Sequence, residues 1–179
     1  MAKNWKIRKD LSIEVCGHIL FRIECTQDFK EIKAGTLGGY IEKEENLDGN
    51  AWVSGNAWVS DDAQVSGDAQ VCGNARVYGN AQVYGNAQVY GDAWVYGDKI
   101  TNKDDICYIS NRYYNITITP LHIKIGCQYH AQVAWWNFTD EQIEDMDGES
   151  ALNFWKIWKE PLKQVCDAMK KEKGEKDVK

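Results

Sequence analysis

Five residues in the middle of the chain have the side chains of a recognition surface: Trp58, Arg76, Tyr78, Trp94 and Tyr96. Trp58, Arg76 and Trp94 are spaced by eighteen residues, and so are Tyr78 and Tyr96. Aromatic rings offer flat apolar area, and a guanidinium offers a planar fork of donors, so the set suits a binding anchor. Two smaller motifs hold a different chemistry. Cys16 and His18 stand in "CGH", and Cys127 and His130 in "CQYH". Were the two motifs to meet, they would form a Cys2His2 zinc set. Cys127 with His130 alone would be a thiol and a base. Buried small cysteines and histidines in turns account for the same letters, and the expectation is no cofactor.

The spacing of eighteen has meaning only if the chain returns to the same place after eighteen residues. From Gly49 to Asp98 it repeats the phrase Ala-x-Val-x-Gly-Asn/Asp, with alanine at 51, 57, 63, 69, 75, 81, 87 and 93 and valine two later each time. Neither a helix nor a flat strand recurs every six residues; a short strand followed by a turn does. Alternation puts Ala and Val on one side and their neighbours on the other. Glycine with Asn or Asp tolerates the corner. Three such strands close a triangular coil, and successive coils stack at the spacing of β-strands, ~4.8 Å. Three outer faces result. One stacks Trp52, Gln70 and Gln88; a second Trp58, Arg76 and Trp94; a third Gln64 and Gln82. The second is the richest, with Tyr78 and Tyr96 beside it. Cover by the C-terminal segment, or packing between subunits, competes with a foreign partner as the reason for its aromatic character.

Eight hexads make fewer than three coils, so both ends need caps. Ile41, Leu47 and Val53 carry the six-residue rhythm upstream of the clean repeat. The expected organisation is mainly β: an N-terminal β-hairpin cap over 1–36, a parallel β-helix over 37–98, a C-terminal α+β segment over 99–172 and a disordered tail over 173–179. Within the third part, "ICYIS", "YYNITITPLHIKIGC" and "HAQVAWW" look like strands, with a hairpin near Pro120. Thr139 with Gln142 predicts a helix-capping box. Leu152, Trp155, Trp158, Leu162, Val165 and Met169 form one apolar helical stripe, which Pro161 should kink or break.

The formal net charge of −6 argues against a general nucleic-acid binder. No stretch approaches the ~20 apolar residues of a membrane span, and the N-terminus lacks a signal-peptide core. The six scattered cysteines predict free thiols in an intracellular chain.

The hexads over roughly 37–98 resemble the hexapeptide-repeat family, whose fold is the left-handed parallel β-helix. That resemblance implies the left hand. Many members are acyltransferases with a catalytic histidine, and carbonic anhydrases on this fold use three histidines around zinc. Here no histidine lies between His18 and His122, and no inserted loop interrupts 49–98. The resemblance extends, through "GHILFRIECTQDFKEIKAGTLGGYIEKEENL" and "IKIGCQYH…WWNFTDEQIEDMDGESALNFWKIWK", to short phage and prophage proteins of that type. It implies a non-enzymatic, phage-encoded binding protein in the cytoplasm of a bacterial host. Such a protein docks on and blocks a host factor, for example a defence component such as a CRISPR nuclease complex. A nucleotide or small-molecule sponge, a diverged acyltransferase and a purely structural trimer are the alternatives. A homo-oligomer, dimer or trimer, is expected.

Overall fold

The computed structural model describes residues 3–176, with side chains through Lys170. Strands β1 (Trp5–Val15) and β2 (His18–Cys25) form the expected antiparallel hairpin. Its two-residue turn, Cys16–Gly17, has positive φ at both positions, the conformation that matches strand twist in tight hairpins. Strand β3 (Leu37–Ile41) then does two jobs. It pairs antiparallel with β2 and parallel with β5 (Trp58–Val59), so the hairpin continues one wall of the coil. Gly38 and Gly39 permit this. A Cβ at Gly39 would lie 2.5 Å from the Ala57 carbonyl oxygen, and one at Gly38 2.6 Å from that of Val53.

The hexads form a solenoid with three parallel ladders. One stacks β4 (Trp52–Val53), β7 (Gln70–Val71) and β10 (Gln88–Val89). The second continues from β5 through β8 (Arg76–Tyr78) to β11 (Trp94–Tyr96). The third joins β6 (Gln64–Val65), β9 (Gln82–Val83) and β12 (Lys99–Ile100). In most rungs the middle N–H donates to an alanine carbonyl one coil on, as from Trp52 to Ala69 at 3.0 Å. Alanines and valines fill the interior and are buried throughout. Each valine contributes about 1.5–2 kcal/mol of apolar burial. Ile41 and Leu47 extend the same column upstream, as their spacing predicts. At one corner Asn56 donates to Asn74 (3.3 Å) and Asn74 to Asp92 (2.9 Å), a side-chain ladder along the coil.

The rhythm ends differently from expectation. Lys99 pairs with Gln82 and Ile100 with Val83, so a further rung stacks after the hexad spacing shortens by one residue. Asp98 occupies the backbone position that alanine holds in the other rungs, its carbonyl accepting from Gln82 (2.8 Å). Ile100 and Ile106 close the column.

Beyond it, β13 (Cys107–Ile109), β14 (Ile116–Ile118), β15 (His122–Ile125) and β16 (Gln128–Ala131) form an antiparallel meander, with the expected turn at Pro120. Helices α1 (Gln132–Asn137) and α2 (Asp140–Lys176) pack on it around a second core that includes Ile118, Ile123, Trp135, Trp155 and Leu162. Two expectations fail here. "HAQVAWW" is strand only to Ala131 and helix afterwards. Gln132 donates to the Thr119 carbonyl and Trp135 to that of Ile123, both at 2.8 Å, and a three-residue step aims both at the sheet only in a helix. Pro161 does not break α2; the kink is at Asp147–Gly148, where Gly148 takes φ +65°. The carbonyl that Pro161 deprives of its donor belongs to Ile157, 70% exposed, where water can satisfy it. The capping box forms as predicted: Gln142 N–H donates to Thr139 Oγ1 (3.3 Å), and the Gln142 side chain accepts from Thr139 N–H (3.0 Å). The backbone of α2 runs to Lys176; the last three residues of the expected disordered tail lie outside the described residues.

Candidate functional site

The five residues singled out by spacing meet on the outer face of the sheet ordered β1-β2-β3-β5-β8-β11. Backbone register puts Arg22 beside Tyr40, Tyr40 beside Trp58, Trp58 beside Arg76 and Arg76 beside Trp94. Cation and aromatic ring alternate along much of this row. The Arg22 guanidinium lies 4.9 Å from the Tyr40 ring centroid, and that of Arg76 lies 5.6 Å from Trp58 and 4.4 Å from Trp94. In the adjoining row Tyr78 contacts Trp58 (5.8 Å), Trp94 (6.2 Å) and Tyr96 (5.1 Å). The C-terminal sheet adds Lys124, whose Nζ is 3.7 Å from the Trp94 centroid, and Tyr129, 5.8 Å from Tyr96. Thr117 Oγ1 accepts from the Trp94 N–H at 3.2 Å, which fixes the sheet to this edge.

Exposure is graded along the face. Trp58 is only 9% exposed and forms a floor; Arg76, Tyr78 and Trp94 are half-buried; Tyr96 stands out at 45%. The aromatic face is therefore partly its own cover, and the C-terminal sheet covers one end. Burial pushes the Tyr78 hydroxyl pKa up and that of the Lys124 ammonium down.

The proposed zinc quartet does not assemble. Among the described residues, the group with metal-ligand proximity is His18, Glu42 and Asp61, without Cys16, Cys127 or His130. His18 is carried by the hairpin tip to the first coil. His130 instead packs edge-on against Trp135 (5.3 Å) and Phe138 (5.0 Å), with Nε2 3.1 Å from Gln128 Oε1, and burial lowers its pKa. Cys16 and Cys127 are exposed, and all six cysteines are free thiols.

Both ring nitrogens of His18 face carboxylates: Nδ1 to Glu42 at 3.0 Å and Nε2 to Asp61 at 3.5 Å. The Glu42 bond holds the imidazole pKa above its ordinary value. The remaining carboxylate oxygens are occupied. Glu42 accepts from Asp61 N–H (2.6 Å), and Asp61 from Gly79 N–H (2.8 Å). This is the geometry of an imidazolium clamp between hairpin and coil. Its sequence signal was available: Asp61 stands in the slot that glycine holds in the other hexads, and keeps φ +56°.

A second missed residue is Asp98, which the hexad rhythm places at an ordinary corner. It is 1% exposed and accepts from Thr119 Oγ1 (2.8 Å), Leu121 N–H (3.2 Å), His122 Nδ1 (2.8 Å) and Tyr129 Oη (2.9 Å). The loss of hexad phase at Asp98 was its signal. In the C-terminal segment an apolar cavity of about 50 Å³ is walled by Trp135, Met146, Phe154 and Trp155. At its rim Tyr114 donates to Asp147 (2.7 Å), and burial pushes the phenol up to about 12.

No described helix is long and apolar enough to cross a membrane. Residues 69–85 and 81–97 match the family model described as YdcK beta solenoid repeat. No curated protein matches the chain. With the ladders above, the match makes the chain a short β-solenoid of left-handed β-helix-like form, related to the hexapeptide-repeat proteins without being identical to them.

Proposed function

We propose that this is a non-enzymatic binding protein that docks on another protein through the cation–aromatic face of the six-stranded sheet. The observation that supports it most is Arg76. It is the only cation of the clean repeat, it lies between Trp58 and Trp94, and Tyr78 and Tyr96 flank it. Tryptophan, tyrosine and arginine are the side chains in which interface energy concentrates. A sheet face is flat, which suits a protein better than a small molecule, whose sites are concave. The resemblance to short phage proteins makes a host factor the natural partner and the cytoplasm of a bacterial cell the place; a defence complex fits that role. On the other two faces glutamines alternate with fewer aromatics: Trp52 is buried against Phe29, and a cation meets a ring there as Lys99 on Tyr84.

The test is capture of partners from bacterial lysate by the wild-type chain, by Arg76→Ala/Tyr96→Ala and by Gln64→Ala/Gln82→Ala, with mass spectrometry. A partner lost only with the first pair supports the reading. A partner insensitive to that pair, or recovery of the chain alone, refutes it. Light scattering on the same samples reads self-association through this face.

A second reading, a diverged acyltransferase with His122 as its base, draws on one observation: buried Asp98 orients His122 through Nδ1. Turnover of an acetyl-CoA donor that His122→Ala abolishes would favour it over docking.

A further inference from the structure

We infer that the docking face accepts carboxylates: Arg76 and Lys124 form an anion-binding notch around Trp94 that takes an acidic side chain of the partner. This rests on the docking reading above and adds the chemistry of the group recognised.

Three observations carry it. First, the chain pairs its cations with acids where it folds on itself. In the hairpin and first coil Lys3, Lys6, Arg8, Lys30, Lys33 and Lys43 each hold a carboxylate oxygen within 3.1 Å. Among the described residues, the three cations of this face, Arg22, Arg76 and Lys124, have no carboxylate in reach, as Lys9, Lys99 and Arg112 elsewhere have none, although the chain carries a net charge of −6.

Second, Lys124 is 6% exposed. Its ammonium has three N–H donors, and among the described residues its one acceptor is the Gly126 carbonyl of its own turn. A desolvated cation so served is unfavourable unless an anion completes its shell. Lys124 and Arg76 both contact the Trp94 ring, so two cations gather at one aromatic side chain.

Third, the surroundings select the anion. Asp92 lies at a corner of the same coil, and a polyanion such as nucleic acid meets that acid as well as the notch. A single carboxylate on a protein does not carry that repulsion along a whole chain.

The row also predicts a spacing. Arg22 and Arg76 are three strand positions apart, roughly 14 Å at the spacing of neighbouring strands. An extended peptide rises about 3.3 Å per residue, so two acids four residues apart span from Arg76 to Arg22.

The experiment uses the full chain and a fluorescein-labelled Gly/Ser peptide bearing two glutamates four residues apart, read by anisotropy. The same peptide with glutamine is the first control, and ATP is the competitor. We expect the glutamate peptide to bind at least tenfold more tightly than its glutamine twin, with no displacement by ATP. Arg76→Gln and Lys124→Met should each weaken it at least tenfold, and Lys99→Gln, on the third face, by less than twofold. Lys124→Met should also leave Tm unchanged or higher, because it removes a buried cation; loss of binding without loss of stability is a result that a merely structural lysine would not give. Equal binding of the two peptides, displacement by ATP, no binding of either, or full binding by Arg76→Gln and Lys124→Met overturns the inference. If the peptide fails while lysate capture still depends on Arg76 and Tyr96, docking stands and the carboxylate falls. If capture ignores those residues, docking itself falls.

Discussion

The two ends of the solenoid solve one problem in opposite ways. Each end exposes unpaired strand edges and an apolar column. At the N-terminal end the closure is backbone: β3 adds the hairpin to the sheet through Gly38 and Gly39, and half-exposed charges such as His18, Glu42 and Asp61 trim the outside. At the C-terminal end the closure is a buried side chain. Asp98, 1% exposed, collects four donors from the meander away from bulk solvent. The difference teaches that similar bond counts weigh unequally. Exposed ion pairs contribute little, whereas a buried carboxylate with satisfied donors becomes costly to remove.

That contrast can be broken at several points. Asp98→Ala should do most damage, because it strands donors that have lost water. About 3 kcal/mol of stability should go, and Tm should fall by roughly 6–12 °C in thermal unfolding. Gly39→Ala should follow, at about 2 kcal/mol of overpacking, since its Cβ would press on the Ala57 carbonyl and Val53; urea titration reads it. An Asp98→Ala protein more stable than Gly39→Ala would invert the comparison.

Asp61→Gly sharpens it. Glycine relieves a left-handed backbone, worth about 1 kcal/mol, and loses the bond from Gly79 N–H, worth about 1 kcal/mol. Chemical denaturation should therefore show a change under about 1 kcal/mol. The smallest effect is a pH dependence. The folded His18 pKa is raised, so its clamp contributes fully below about 6.5 and fades as pH climbs through the folded value. On the acid side, burial alone would raise the Glu42 carboxyl, but the His18 bond holds it below its ordinary value. The clamp thus weakens as Glu42 protonates. Protection factors in β1 and β2, corrected for the base catalysis of intrinsic amide exchange, should be higher near pH 6 than near pH 8.5, and His18→Ala should flatten that difference. An unchanged profile in His18→Ala would remove the clamp from the account.

Much of this was legible beforehand, and the reasons are local. The alanines and valines recur because every rung meets the same narrow interior, so the inside of the coil is written in the letters. The capping box at Thr139 and the stripe through Trp155 and Leu162 are short-range patterns, and they formed as read. The expected break at Pro161 failed because a proline is tolerated where the freed carbonyl faces solvent, and orientation toward solvent is not local information. "HAQVAWW" failed likewise, since Gln132 and Trp135 answer to the carbonyls of Thr119, just past β14, and Ile123, on β15, which lie in other segments.

By itself the sequence determined the period, the three faces, the residues of the inner column and the gathering of Trp58, Arg76, Tyr78, Trp94 and Tyr96 on one face, because a fixed repeat converts spacing into position. Only the tertiary structure decided that Trp58 is a floor and Tyr96 a prominence. It also separated His18 from Cys127 and His130, turned Asp98 inward, and brought Lys124 onto Trp94. Those outcomes depend on how non-repeating flanks fold back on the coil, and contacts between segments far apart in the chain leave no periodic trace in the sequence.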